Sequence, residues 1–446
     1  MTRLAYAPLP SAGYEESPAA LSRAGTHEDV TAGEIAVGVV IGRASEYFDF
    51  FVFGIACVLV FPDLLFPFLA PREGTLAAFA LLAVAFVVRP AGTALSMAVQ
   101  RHWGRGTKLT LALFLLGVCT VGMAFLPSYA SQGGAAIAAL LALRIGQGLA
   151  LGGSWDGLPS LLALSAPPGR RGWYAMMGQL GAPLGFVLAA GLFAYLRGSL
   201  DDQAFLSWGW RYAFFVAFAI NVVALFARLR LVVGQSYAHL LAEHELLPVA
   251  VRRVMRDEGG NVLLGAFAAL ASFALFHLVT VFPLSWIALQ GRQPVTEVLY
   301  VQIAGALLAA GAVVLSGWLA DRVGRRTLLG SMAVLIGLFS LLTPWLLGEG
   351  LGGNTLFLLT GFVLLGLSYG QASGTVTANF SPRYRYTGAA LSTDLAWLIG
   401  AAFAPVVALG LSSRFGLVAV SLYLLSGVAG TLGALRINRL IERQDG

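Results

Sequence analysis

The chain has 446 residues, 58% of them hydrophobic and only 11% charged, with 54 glycines and a mean hydropathy of +0.80. A water-soluble domain cannot hide so apolar a composition, because the fraction of surface buried levels off with size, so the solvent must be lipid. The formal charge of +6 is scattered over short loops and forms no basic stripe, which argues against a nucleic-acid partner.

Residues 1–32 are polar and mixed in charge. They lack the basic start, short apolar core and small-residue site of a secretory signal, so the first spanning helix is expected to direct insertion. Apolar runs of helix length, with Gly, Pro and charge breaks, predict twelve spans at about 34–62, 74–99, 108–127, 135–164, 172–196, 208–229, 261–290, 296–319, 327–347, 354–378, 387–412 and 416–436. The expected fold is all-α, a polytopic membrane protein of two pseudo-symmetric six-helix bundles. Its parts are a cytoplasmic tail (1–32), a first bundle (33–230), a cytoplasmic linker (231–260), a second bundle (261–437) and a cytoplasmic tail (438–446). Most of the 28 Lys and Arg fall on loops that are internal if the N-terminus is cytoplasmic, whereas Arg72, Arg197, Arg292 and Arg414 fall outside. That bias places both termini in the cytoplasm, in a bacterial-type plasma (inner) membrane. The linker contains QSYAHLLAEHELLPVAVRRVMRDEGG, polar and partly amphipathic, suited to the membrane surface. Across it a repeat is visible: WGRGTKLTLALFLLG after the second span and VGRRTLLGSMAVLIG after the eighth. Repeated halves with a midplane site between them describe many secondary transporters. Cys57 and Cys119 lie in apolar runs and read as inert core residues.

In the first span, IGRASEYFDFFVF sets Arg43, Glu46 and Asp49 at three-residue spacing, so they are neighbours on one helix. Each charge near mid-membrane costs roughly 3 kcal/mol on insertion scales, so such groups face a protein interior or a wet cavity. A substrate or proton site is the functional reading, and an ion pair locking the helix to a neighbour is the structural one. The other charges within spans are Arg89, Arg144 and Arg211 against Asp156 and Asp394. Arg211, close after Trp208, reads as an interface anchor, and Arg89, before Pro90, as a structural group meeting the carbonyl that proline frees. Arg43 and Arg144 remain as receptors for an anion, since a guanidinium fork matches a carboxylate. Asp49 is expected to carry a proton, with Glu46 as partner of Arg43, because a carboxylate between a like charge and an opposite one can load and release a proton. Asp156 is a second proton-coupling candidate or a partner of a loop arginine. Asp394, beside Trp397, faces the cavity from the second half or pairs across the halves with Arg43 or Arg89. His277, alone in FALFHLVTV, is a core histidine or a proton sensor. Gln147, Gln179 and Gln371 read a polar substrate or tie helices together, and Tyr47, Trp155 and Trp286 form cavity walls or packing.

Four groups of residues, in order along the chain, resemble the major facilitator superfamily. They are most similar to its metabolite:proton symporter branch, which includes alpha-ketoglutarate, citrate, shikimate and proline/betaine permeases. They are Glu46-Tyr47-Phe48-Asp49-Phe50 with Phe66-Pro67; Arg89-Pro90 with Gly104-Arg105 and the second-half GWLADRVGRR; Arg144-x-x-Gln147-Gly148 running into Gly152-Gly153-Ser154-Trp155 and Arg171-Gly172; and Trp208-Gly209-Trp210-Arg211 with Arg383 to Gly388. The resemblance implies a cytoplasmic gate at Arg101, Arg105, Arg171, Asp321, Arg322, Arg325 and Arg385, where acids latch loop arginines. It also implies a chain that works as a monomer. Three family acids are missing, with Arg101, Leu164 and Asn379 in their places, and Ser154 replaces the GGEW carboxylate. The expected resting state is therefore open to the cytoplasm. Neither a GxxxxGK[ST] loop nor an HExxH motif occurs, so no ATP-driven pump, no metal and no cofactor is expected. No nucleophile, base and orienter converge, so the chain is not read as an enzyme. The function expected is secondary active transport of a small organic anion or zwitterion by alternating access, with proton symport. An uncoupled facilitator or exporter, or a non-transporting sensor, is the alternative.

Overall fold

In lipid every backbone N–H and C=O must be satisfied within the chain, and long apolar runs achieve this by coiling into helices. The computed structural model describes residues 32–155, 157–164, 166–167, 169–233, 241, 246–291, 293–348, 350–372 and 380–444. Asp156 and Asn379 lie outside them.

The described residues form twelve spanning helices. α1 is Ala32–Leu59. The 54-residue Pro71–Ala124 is broken at Gly104 into α2 (71–103) and α3 (105–124). α4 is Gly134–Gly153, resumed as Leu158–Leu164, and α5 is Arg171–Met177 followed by Gly181–Ser199. α6 is Arg211–Val233. The second half comprises α7 (Leu270–Gln290), α8 (Val295–Val323), α9 (Arg325–Leu346), α10 (Leu351–Tyr369), α11 (Pro382–Phe415) and α12 (Val418–Gln444). Part of the stretch expected as a linker lies outside the described residues. Its remainder is already helical from Val251, earlier than the predicted start of the seventh span, and bends at Glu258 before leading into α7.

The internal repeat has a backbone signature. Gly104 (φ 84°) separates α2 from α3 and Gly324 (φ 85°) separates α8 from α9, the equivalent turn of the second half. A Cβ would have open space at both, so the requirement is the left-handed backbone and not room. Elsewhere glycine permits close approach: a Cβ on Gly92 of α2 would come within 2.5 Å of the Leu149 carbonyl oxygen on α4.

Each bundle turns Leu, Val and Phe outward to lipid, as at Phe114, Val223, Phe226, Leu338 and Leu422, and buries small and aromatic residues. The halves meet where α1 packs on α7, α2 on α11 and α5 on α8. At mid-height the joint is a layer of rings: Phe276 of α7 stacks on Phe51 (5.5 Å) and meets Trp397 edge-on (5.0 Å), and Phe86 stacks on Trp397 (5.4 Å). α11 widens into a π turn over Trp397–Ala402, and this local change of pitch carries the indole to the joint.

Candidate functional site

Between the halves lies a small cavity, about 40 Å3, lined by Arg43, Glu46, Tyr47, Phe86, Arg89 and Trp397 with Phe50 and Leu151. Arg43 Nη1 donates to Glu46 Oε2 at 2.9 Å, as the three-residue spacing predicts. The other oxygen, Glu46 Oε1, accepts from Arg228 Nη1 at 2.5 Å, and Arg228 Nη2 reaches the Ser154 carbonyl oxygen at 2.6 Å. Glu46 is thus shared by two guanidinium groups. Arg228 was missed in the sequence because it sits at the end of the sixth apolar run, where a long basic side chain ordinarily snorkels out. Room for it exists because residue 42 is glycine; a Cβ there would stand 2.9 Å from Arg228 Cδ. Across the joint, Arg89 Nε on α2 pairs with Asp394 Oδ1 on α11 at 2.7 Å, and the Thr93 hydroxyl donates to Asp394 Oδ2. Arg89 is therefore more than a backbone prop: it lines the cavity and joins the halves, and Asp394 takes the cross-half pairing of its two readings.

Asp49 does not join Glu46. It faces the interior of the first half, where Oδ2 accepts from the Thr120 hydroxyl at 2.8 Å and from Asn221 Nδ2 at 3.3 Å, and where no ion pair reaches it among the described residues. The expected three-charge cluster is in fact split: Glu46 turns to Arg43 and Arg228, and Asp49, one turn along α1, turns to Thr120 and Asn221. Arg144 and Gln147 lie in that same interior and do not line the central cavity. Arg144 Nη1 donates to Gln147 Oε1 at 2.6 Å, Nη2 to the Leu82 carbonyl oxygen at 2.8 Å, and the group sits 3.8 Å over the Phe53 ring. Gln147 Nε2 donates in turn to Thr120 Oγ1 at 3.0 Å.

Tyr47 and Tyr369, from α1 and α10, share a hydroxyl hydrogen bond across the joint. The Trp155 ring stands 5.9 Å from Arg43 Cζ. His277 is fully buried against Phe50, Phe86 and Phe276, and neither ring nitrogen has a hydrogen-bond partner among the described residues. Gln179 is buried at the break in α5, and Trp286 packs on Phe282, away from the central cavity. Arg211 donates to the carbonyl oxygens of Ala124 and Leu126 (2.6 and 2.9 Å), holding the end of α3 as an anchor.

At the end of the bundle that carries both termini the halves are held together, contrary to the open state expected from the missing acids. Asp321 of α8 accepts from the backbone N–H groups of Gly172 (2.6 Å) and Trp173 (3.1 Å) in the first turn of α5. These are amides a helix start leaves unsatisfied, so a carboxylate caps them without any arginine. Gln371 Nε2 donates to the Gly172 carbonyl oxygen (3.1 Å) and Arg325 Nε to Gln371 Oε1 (3.3 Å), while Arg325 Nη2 reaches the Arg171 carbonyl oxygen (3.5 Å). The second latch is Lys108 of α3, buried, which donates to the Trp155 carbonyl oxygen and to the Tyr386 hydroxyl of α11 (3.1 Å). Tyr386 also donates to Gln100 Oε1 at 3.0 Å. Lys108 escaped notice because a lysine at the start of a span reads as an ordinary interfacial charge. Of the remaining expected gate residues, Arg101 and the Arg171 side chain are exposed, Arg105 and Arg385 are half-buried, and Arg322 lies over the Trp318 ring at 3.9 Å.

A family model described as Major Facilitator Superfamily matches residues 75–405. The chain is 35% identical over 421 residues to the inner membrane metabolite transport protein YhjE of Escherichia coli K12, covering 92% of this chain and 95% of that one. It is 30% identical to the shikimate transporter of the same organism, covering 88% and 91%. Among solved structures it superposes on a partially occluded inward-open form of the E. coli xylose transporter XylE with TM-score 0.66 at 19% identity, covering 90% and 96%.

Proposed function

Because the chain belongs to the Major Facilitator Superfamily, a family of membrane transporters and not of enzymes, we propose that it carries a small organic anion or zwitterion by alternating access, in symport with protons. The observation that carries this reading is the cavity at the joint, into which two arginines of the first half, Arg43 and Arg89, present guanidinium groups already engaged by the protein's own carboxylates. An arriving carboxylate competes with Glu46 for Arg43 and with Asp394 for Arg89, so binding loosens the pair that ties α2 to α11. The proton is carried apart from the substrate, on Asp49. That carboxyl is buried among neutral donors one turn along the same helix, so its charge state sets how α1 packs on α3 and α6. The basic, terminus-bearing end is the cytoplasmic one.

Uptake into proteoliposomes, with and without an imposed pH difference, tests the proposal against a panel of carboxylates, amino acids and betaines. Arg43→Ala should weaken an anionic substrate by about tenfold to a hundredfold, the worth of a charge-assisted hydrogen bond. Asp49→Asn should abolish pH-driven accumulation while leaving exchange intact. Accumulation by Asp49→Asn equal to wild type removes the proton role. A wild-type protein that equilibrates its substrate without accumulating it is the uncoupled facilitator.

A further inference from the structure

Within the first half, α2, α3 and α4 leave between them a groove of about 140 Å3, several times the volume of the central cavity. Leu95, Val99, Leu111, Leu115 and Leu149 wall it, and Leu95 and Leu111 are exposed at its rim, on the side that meets lipid. The polar groups among its walls are already satisfied. Ser96 Oγ donates to the Thr93 and Gly152 carbonyl oxygens (3.0 and 3.3 Å), and the Lys108 amine is committed to the Trp155 carbonyl oxygen and the Tyr386 hydroxyl, which leaves its methylene stem to the groove. An apolar space of this size takes a hydrocarbon guest, because unfilled walls forfeit their contacts.

The groove leads to the α2–α3 turn. Steps of three run along α2 from Val99 to His102 and back along α3 from Lys108 to Arg105, so the two helix faces that line it both end on basic residues. Arg101, His102 and Trp103 are exposed there, and no Asp or Glu occurs from Gly74 to Trp155. The equivalent turn of the second half differs. Asp321 stands three residues before Gly324, as Arg101 stands before Gly104, and its carboxylate is engaged by the α5 amides. Arginine accepts no hydrogen bond, so Arg101 cannot make such a cap, and the first-half turn keeps its positive charge at the surface.

We infer that this groove is a binding site for an anionic phospholipid of the leaflet at the terminus-bearing end, with an acyl chain between α2, α3 and α4 and its phosphate at Arg101 and Arg105. Native mass spectrometry of the full chain in detergent tests it, with dioleoylphosphatidylglycerol and dioleoylphosphatidylcholine, which share their chains and differ in net charge. The first phosphatidylglycerol should bind about tenfold tighter than phosphatidylcholine, the effect of two arginines beside a charged headgroup. Arg101→Gln with Arg105→Gln should bring the two lipids level, whereas Arg436→Gln, which removes an exposed charge from α12, should leave the preference unchanged. Val99→Trp, which fills the groove, should weaken phosphatidylglycerol about tenfold. Leu115→Trp reads the same groove from α3 if Val99→Trp does not fold. Equal binding of the two lipids by the parent would reduce the groove to ordinary lipid contact and overturn the inference. So would a preference that survives the paired arginine change or the groove-filling variants, one lost equally in Arg436→Gln, or glycerol 3-phosphate binding as tightly as the intact lipid.

Discussion

Asp394→Asn isolates the ion pair that spans the joint. The substitution keeps the size of the side chain and the contact with Thr93, but leaves Arg89 buried, with only about a tenth of its side chain accessible, and without a countercharge at 2.7 Å. Removing one partner of such a pair costs about 3 kcal/mol or more, because the remaining charge is desolvated and uncompensated. When the halves separate at that end, Arg89 regains water, so the penalty falls on the closed arrangement alone. The ratio of closed to open molecules should drop by roughly a hundredfold. The assay uses a background in which Cys57 and Cys119, both buried and unpaired, are replaced by Ser, with one reporter cysteine at Ser316, which is buried beside Gln371 of the closed gate. Maleimide modification in membranes should be much faster in Asp394→Asn than in the parent. The double variant Arg89→Gln with Asp394→Asn, a neutral pair of similar shape, should restore slow labelling. Equal labelling in parent and single variant would refute the assignment of this pair to closure, as would a double variant no slower than the single.

The remaining predictions concern the turns, the latch and the surface. Ala at Gly104 or Gly324 should destabilise by about 1–2 kcal/mol at each site, because both require a left-handed backbone and neither lacks space; thermal unfolding in detergent reads this. Tyr386→Phe removes an acceptor from Lys108 and the donor to Gln100, so the Ser316 reporter should label faster, by about tenfold, with the substrate cavity unaltered. Arg228→Met and Glu46→Gln should be strongly coupled in unfolding, the double variant costing less than the two singles together; additivity would deny the 2.5 Å pair. On the surface, Asp257 accepts from Arg256 Nε (2.7 Å) and the Tyr384 hydroxyl (2.6 Å), and these bonds hold its carboxyl below the usual carboxylate range. A carboxyl so lowered supports docking of the 251–258 stretch at neutral pH and gives that support up only as acid titrates it. Hydrogen-exchange protection there, corrected for the intrinsic rate at each pH, should fall in strong acid, and Asp257→Asn should remove that fall.

Much of this architecture was open to reading from residue order. Apolar run lengths gave the helices because lipid leaves the backbone no alternative, and the repeated Gly-Arg turns announced two similar halves because a left-handed backbone selects glycine. The pairing of Arg43 with Glu46 was equally visible, since three residues along a helix are adjacent wherever that helix goes. What residue order could not reveal is which neighbour each face of α1 meets. Only the packing of α6 against α1 brought Arg228 to Glu46 and turned Asp49 toward Thr120 and Asn221, and only the crossing of α2 with α11 matched Arg89 to Asp394. The closed gate lay hidden for the same reason. Its acceptors and donors include backbone groups at the start of α5 and a lysine that looks interfacial, and such groups carry no residue-type signal until two distant helices are set side by side. Spacing along one helix is local geometry, whereas the partner of a buried charge depends on how separate helices pack.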